Sequence, residues 1–245
     1  MSRKIIITRP IEQGKIFVDT LNTRLGMKAE DFILCPVMTI IHDMANIPSS
    51  DSYDALILTS VHAVHSVRDN HEVLSKPCYV VGQACGDAFE KAGGTNIVSI
   101  TSTVHDLVKV IEKSHNQSFL YIRGRDISLD IKEVLKPLGK NVDEAISYNA
   151  QENDQMSSDV VTEILKHRIG AVTLFSKRTA HLFYTYIKQA ELTSHLEGAN
   201  ILCLSNAIAQ FVSEVQGKNA SDHVYVAQTP DMQGMIDLID RFGVA

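Results

Sequence analysis

Eight short apolar runs mark the chain: Lys4–Thr8, Ala55–Leu58, Cys78–Val81, Asn96–Ile100, Phe119–Ile122, Ala171–Phe175, Ile201–Leu204 and Val224–Ala227. They are continuous, whereas a strand with one wet face alternates apolar and polar residues. Strands covered on both faces by helices have this continuous form and belong to parallel sheets. The stretches between them carry a helical period. Phe17, Leu21 and Leu25 share a face before Gly26, and Val104, Leu107, Val108 and Ile111 do so after Thr103. Phe183, Tyr184 and Ile187 form a third such face. Ala207, Ile208, Phe211, Val212 and Val215 form a fourth, ahead of Gly217 as a predicted C-terminal cap. Strand and helix alternate throughout, which predicts an α/β fold.

The pattern also repeats. Ala55–Ser60 (ALILTS) recurs as Ala171–Ser176 (AVTLFS), and Val80–Gly94 is echoed by Cys203–Gly217. Phe119–Gly139, strand-like and then helical, ends in Leu-Gly as Lys4–Gly26 does. A repeat of about half the chain means two similar domains and not a solenoid. The single-strand pieces Lys4–Gly26 and Phe119–Gly139 are each followed by an extended segment without helical period, Asp31–Ile41 and Val142–Gln151. These segments read as crossovers from one domain to the other. Residues 42–141 then form one continuous domain, and 1–35 plus 152–245 a discontinuous one. Residues 36–41 and 142–151 run between them as a two-stranded antiparallel linker. Two sequential halves with a single linker are the competing arrangement.

Composition narrows the class without changing the fold. With 44% hydrophobic and 21% charged residues among 245, the chain has the make-up of an ordinary globular protein. The apolar start is too short for a signal sequence or a membrane span. Cys35, Cys78, Cys85 and Cys203 form no CxxC pair, and each lies in or beside an apolar run. They are expected to be reduced thiols of a cytoplasmic protein. A net charge of −6 without a basic tract argues against nucleic acid as partner.

Candidate chemistry gathers where strands end and helices begin, because backbone N–H groups and the positive helix terminus there can hold anions. These junctions carry Thr8-Arg9-Pro10, Thr59-Ser60, Gly82-Gln83, Thr101-Ser102-Thr103, Arg123-Gly124-Arg125, Ser176-Lys177-Arg178, Ser205-Asn206 and Thr229-Pro230. Helix capping explains any one hydroxyl among them. Arg9, Arg123, Arg125, Lys177 and Arg178 together, in an acidic chain, point instead to a polyanionic ligand held in a cleft. No dinucleotide or phosphate-loop motif is present: Gly82-Gln-Ala-Cys-Gly86 lacks the third glycine. His62 and His65 share a helix face, but no third ligand is spaced to complete a metal site, so no metal is expected. Cys85 lies at a helix start, where a thiol pKa can fall, although an inert filler suits it as well.

Read in order, Ile-Thr-Arg-Pro near the start, Leu-Thr-Ser-Val-His-Ala-Val at 58–64, Val-Val-Gly at 80–82, Leu-Tyr-Ile-Arg-Gly at 120–124, Phe-Ser-Lys-Arg-Thr-Ala at 175–180 and Ala-Gln-Thr-Pro at 227–230 resemble uroporphyrinogen-III synthase. The resemblance spans essentially the whole chain. It implies two flavodoxin-like parallel-sheet domains joined by a two-stranded antiparallel linker, in a cytoplasmic, cofactor-free lyase of tetrapyrrole and haem biosynthesis. The family reaction takes linear hydroxymethylbilane, removes water, inverts the last pyrrole ring and closes the macrocycle. That substrate, with its eight carboxylates, is the expected partner. A monomer without membrane or nucleic-acid partner is expected, with transient hand-over from the preceding pathway enzyme.

Tyr148 matches the family's tyrosine within the second crossover strand, which implies a proton donor for the departing hydroxyl. A tyrosine packed in the hinge is its structural alternative. Substrate contacts are expected at Thr8, Arg9, Pro10, Thr59, Ser60, His62, Gly82, Cys85, Arg123, Gly124, Ser176, Lys177, Arg178, Ser205, Asn206 and Thr229. Two family threonines are replaced, one by Cys85 and the other near Ala207-Ile208, which favours a site built from backbone N–H groups. A hinge-closing binding module and an inactive relative are the other classes this pattern admits.

Overall fold

The computed structural model describes residues 3–43, 47–216 and 223–243. In chain order the strands are β1 (Lys4–Ile7), β2 (Phe32–Leu34), β3 (Met38–His42), β4 (Ala55–Leu58), β5 (Cys78–Val81), β6 (Ile97–Thr101), β7 (Ser118–Gly124), β8 (Asn141–Glu152), β9 (Ile169–Leu174), β10 (Asn200–Cys203) and β11 (Val224–Val226). The helices are α1 (Ile11–Leu25), α2 (Val61–Val67), α3 (His71–Leu74), α4 (Gln83–Lys91), α5 (Val104–Glu112), α6 (Ile131–Leu135), α7 (Ser158–Leu165), α8 (Lys177–Gln189), α9 (Asn206–Gln216) and α10 (Met232–Phe242). Every apolar run of the sequence lies on a strand, and the fold is α/β. Gly217, the expected cap of α9, lies outside the described residues.

Backbone contacts divide the chain into two compact units, Met1–Thr39 with Gln151–Ala245, and Ile40–Ala150. The first holds a five-stranded sheet in the order β2-β1-β9-β10-β11, whose pairs are all parallel. β1 and β9 lie at its centre, and β9 is buried along its whole length, as the unbroken run Ile-Gly-Ala-Val-Thr-Leu requires. Helices cover both faces and make two cores. One joins Phe183, Ile187, Val160 and Ile208 to Val172 and Leu174, and the other joins Phe17, Leu21, Met235 and Ile239 to Ile5 and Ile7. Helix α1 ends because Gly26 takes a left-handed conformation (φ 67°) and returns its N–H to the Asn22 carbonyl.

The second unit's sheet runs β3-β8-β7-β4-β5-β6. Its β8-β7-β4-β5-β6 portion is parallel and repeats the order of the first sheet, with β4 in the place of β9 and β7 in the place of β1. Its faces pack against Val64, Phe89 and Leu74 on one side and Leu107, Ile111 and Ile131 on the other.

The extended segments depart from their expected form. Asp31–Ile41 is no single crossover. A 3-10 turn over Ala29–Asp31 leads into β2, which pairs in parallel with β1, and β3 begins only after Pro36. Val142–Gln151 falls within β8, which runs parallel to β7 from Ser118↔Asn141 to Gly124↔Tyr148. Both segments therefore serve first as the fifth parallel strand of a sheet. The shortness of β2 and the polar positions of β8, where only Val142, Ala145 and Ser147 are buried, concealed this. β3 lies beside β8 with backbone bonds from Asp43 N to Ser147 O and from Asn153 N to Val37 O, a pairing that runs antiparallel.

Candidate functional site

In each unit the strand order reverses beside a central strand, between β1 and β9 in one and between β7 and β4 in the other. Ligands of open α/β sheets bind outside the carboxyl ends of strands at such switch points. In the unit 40–150, Thr59 and Ser60 follow β4, while Arg123 and Gly124 end β7. The Ser60 hydroxyl caps α2 by accepting from His62 N (3.2 Å), and Thr59 Oγ1 lies 3.1 Å from the Tyr121 hydroxyl. Gly82 caps α4 at φ 84°, a conformation suited to glycine.

Tyr148 stands on β8 opposite Gly124. Its carbonyl accepts from Arg125 N at 3.0 Å, and its ring lies over Gly124 so closely that a Cβ there would sit 2.5 Å from Tyr148 Cε2. The ring is half-buried and packs on the core beneath β7, so it is held while its rim stays accessible. Histidines surround it: the His62 ring centroid is 5.4 Å away and that of His42 6.2 Å. Tyr121, missed in the sequence because it sits within a buried strand, shares the corner; burial first, and Tyr148 among lesser causes, pushes its hydroxyl pKa upward.

The expectation that His62 and His65 have no third partner is overturned. His42, at the end of β3, brings one ring nitrogen within 4.8 Å of one on each of the others. No local spacing connects His42 to α2; only the fold does. Burial first, then His65 and Arg68, holds the His42 pKa below the usual imidazole value.

Other expected contacts are corrected. Cys85 is buried in the core at 3% exposure, its thiol pushed up to about 12 by burial, with Sγ 3.9 Å from the Leu58 carbonyl. It is an inert filler and presents no thiol to a ligand. Arg123 donates from Nε to Glu144 Oε1 at 2.7 Å, and from Nη1 to the carbonyls of Gly124 (2.8 Å) and Arg125 (3.1 Å). Its charge is already matched inside the unit.

The other unit's switch point is more closed. Thr8 is fully buried and donates to the Thr173 carbonyl at 2.6 Å, so its hydroxyl belongs to the sheet. Arg9 binds Gln13 Oε1 through Nε (3.2 Å) and Nη2 (3.0 Å) and lies 4.6 Å over the Phe175 ring. Pro10 is the N-cap of α1 and offers no side-chain bond. Ser176 caps α8 by accepting from Thr179 N at 3.0 Å. Lys177 is exposed in its first turn, while Arg178 pairs with Glu152 at 3.2 Å. The Ser205 carbonyl accepts from Ile208 N and Ala209 N at the start of α9, and Asn206 is exposed beside it. Thr229 Oγ1 donates to Asp231 Oδ1 at 3.0 Å, and the same oxygen accepts from Gly234 N, so this junction is capped by a carboxylate. Capping, which could not be separated from ligand binding in the sequence, therefore engages Ser60, Ser176 and, through Asp231, Thr229.

The fold is shared with solved structures of known enzymes. The uroporphyrinogen-III synthetase of Helicobacter pylori 26695 superposes with a TM-score of 0.64 at 15% identity, covering 96% of this chain and 97% of that one. A mutant uroporphyrinogen III synthase of the extreme thermophile Thermus thermophilus does so with a TM-score of 0.52 at 14% identity and 98% coverage of both. No curated protein sequence matches the chain. The model of the family described as uroporphyrinogen-III synthase HemD matches residues 19–237. With that match over most of its length, the chain belongs to the uroporphyrinogen-III synthase family, lyases of porphyrin and haem biosynthesis.

Proposed function

We propose that the chain cyclises hydroxymethylbilane to uroporphyrinogen III with Tyr148 as the proton donor. The observation that carries this reading is the half-buried Tyr148 ring at a sheet switch point, in a chain matched by the family over residues 19–237. Departure of the substrate hydroxyl as water needs a proton, and a phenol supplies one while leaving a phenolate that the next proton restores. The electrophilic carbon left behind is attacked by the far end of the tetrapyrrole, at the position that inverts the last ring. Spontaneous closure gives the uninverted isomer, so the protein's larger task is to hold the folded geometry.

In the unit of residues 40–150, carboxylates of the substrate are taken by backbone N–H groups at the start of α4 beside Gly82, and by Thr59 and Ser60 at the start of α2. Arg123 orients the loop after β7 through its internal bonds. Strand order supports two flavodoxin-like domains, since β2-β1-β9-β10-β11 is the order 2-1-3-4-5 of that fold and the second sheet is its permuted form. Residues 36–41 and 142–151 act as crossover strands between a domain of 42–141 and one of 1–35 plus 152–245. The enzyme works as a cytoplasmic monomer that takes its substrate from the preceding enzyme. Among the described residues no helix is long and apolar enough to cross a membrane, and the four cysteines are free and buried.

The deciding experiment mixes the purified protein with enzymatically made hydroxymethylbilane, oxidises the products and separates isomers I and III. An excess of type III is expected. Type I alone, at the spontaneous rate, refutes the activity.

A further inference from the structure

We propose that His42, His62 and His65 form a binding site for one divalent transition ion of the zinc type. Three imidazoles from two elements, β3 and α2, meet with one nitrogen of each within 4.8 Å of the others. The ring centroids are 5.9 Å apart for His42 and His62 and 6.2 Å apart for each pair with His65. In every pair the nitrogens are thus nearer than the ring centres, and the nitrogen edges turn inward. An ion at the centre of a triangle of that size lies about 2.8 Å from each nitrogen at most. Side-chain shifts of under an ångström close this to the ~2.0–2.1 Å of a zinc–imidazole bond.

The surroundings suit the tautomer that such a site needs. Ser66 is buried, and its Oγ lies 3.0 Å from the carbonyl oxygens of both His62 and Ser147. That hydroxyl also lies 2.9 Å from His42 Nδ1. With Nδ1 protonated and donating to it, the Nε2 lone pair is left for an ion. A ligand histidine whose other nitrogen is anchored in this way is the usual outer-shell arrangement of a metal site. Aromatic packing alone accounts less well for the cluster, since His42 and His65 are exposed.

The donor set selects the ion. Three neutral imidazoles with no carboxylate or thiolate suit Zn²⁺, Cu²⁺, Ni²⁺ or Co²⁺, and fit Mg²⁺ or Ca²⁺ poorly. Three protein ligands leave a fourth position for water or an incoming carboxylate. The proposed ring closure needs no metal, so this site stands apart from that reading.

Chelator-stripped protein is titrated with Co²⁺ alone and followed by visible absorption, then back-titrated with Zn²⁺. One equivalent should give the intense bands of a tetrahedral nitrogen site, and Zn²⁺ should abolish them. His65→Gln and His42→Gln should each weaken Zn²⁺ binding at least tenfold. Ser66→Ala, which keeps all three ligands but frees His42, should weaken it by roughly 10–100-fold. His105→Gln, on exposed α5, should leave it unchanged. Circular dichroism confirms folding, and because His65 is exposed its variant is expected to fold. Octahedral Co²⁺ bands, a thiolate charge-transfer band, or His65→Gln binding as tightly as the parent each overturns the site.

Discussion

After β4 the chain passes through Thr59 and Ser60 into α2, and after β9 through Phe175 and Ser176 into α8; in both places the serine hydroxyl caps the helix. Beyond that shared cap the two switch points diverge. In the unit of residues 40–150 the neighbouring strand delivers Gly124, across which Tyr148 lies with His42 and His62 near it. In the other unit the neighbouring strand delivers Thr8, fully buried and bonded to Thr173, then Arg9 seated on Phe175. One sheet order thus carries an aromatic and titratable corner once and a closed corner once. Fold sets where a ligand can be approached, and a handful of side chains decide what can be done there.

The asymmetry is tested most strongly at Tyr148. Tyr148→Phe keeps the ring on Gly124 and removes only the hydroxyl. Turnover should fall by roughly 10²-fold, the low end for general acid catalysis, with the type I isomer rising and the melting temperature unchanged. Full rate and isomer purity would make the tyrosine a packing residue and leave the two corners equally inert.

Gly124→Ala probes the same corner from below. The new Cβ would meet Tyr148 Cε2 at 2.5 Å and Cζ at 2.7 Å, so the ring must move. A stability cost of about 1–3 kcal/mol is expected from overpacking, with turnover down about tenfold from the displaced phenol. An unchanged rate in a variant of lowered stability would show that the ring position is immaterial to the reaction.

Much of this contrast could be read before any coordinates. Continuous apolar runs located the parallel strands because a strand covered on both faces has no polar positions to spare, and the ALILTS/AVTLFS echo announced the paired corners. β2 and β8 were harder. β2 is only three residues long and is followed by Pro36, and the polar positions of β8 break any continuous run, so their parallel pairing had no local sign. The site was legible to a lesser degree. Junction residues were located, but whether Arg123 faced a ligand or Glu144 depends on a partner far along the chain, and so does the meeting of His42 with α2. Cys85 misled because a helix start suggests an activated thiol, whereas burial, which decides its pKa, is a tertiary property.

The units also differ in how their carboxylates are held. In 40–150, Asp54 is held below its ordinary value of 3.8, chiefly by the Gln117 and Ser118 N–H groups, and Glu72 below 4.5 by the Ser50 hydroxyl and N–H. Asp106 is lowered chiefly by Thr103 and Lys109. Among the described residues of the other unit Asp231 is the one such case, lowered first by the Gly234 N–H. A carboxylate with a depressed folded pKa stabilises above its ordinary pKa, and that contribution disappears as pH falls through the folded value. Acidification from pH 5 towards 3 should therefore loosen residues 40–150 first. Pulse-labelled hydrogen exchange, with the labelling step at one fixed pH, reads the units separately; earlier opening of 151–243 would contradict this.

The smallest effect compares two ion pairs, one in each unit. Arg123–Glu144 closes at 2.7 Å with side chains 13% and 20% exposed, and Arg178–Glu152 at 3.2 Å with 42% and 52%. Sheltered from solvent, the first is the stronger interaction, and its guanidinium also braces the Gly124 and Arg125 carbonyls. Glu144→Gln should cost about 1–2 kcal/mol, in the range for a hydrogen bond to a charged group. Glu152→Gln should cost no more than ~0.5 kcal/mol, since exposed pairs are screened and mobile. Urea midpoints in low and high salt measure both, and the Glu144 penalty should persist in salt while the Glu152 penalty vanishes. Equal costs would mean that the loop after β7 is as loosely held as the start of α8. The tyrosine corner would then lack the rigid support that sets it apart.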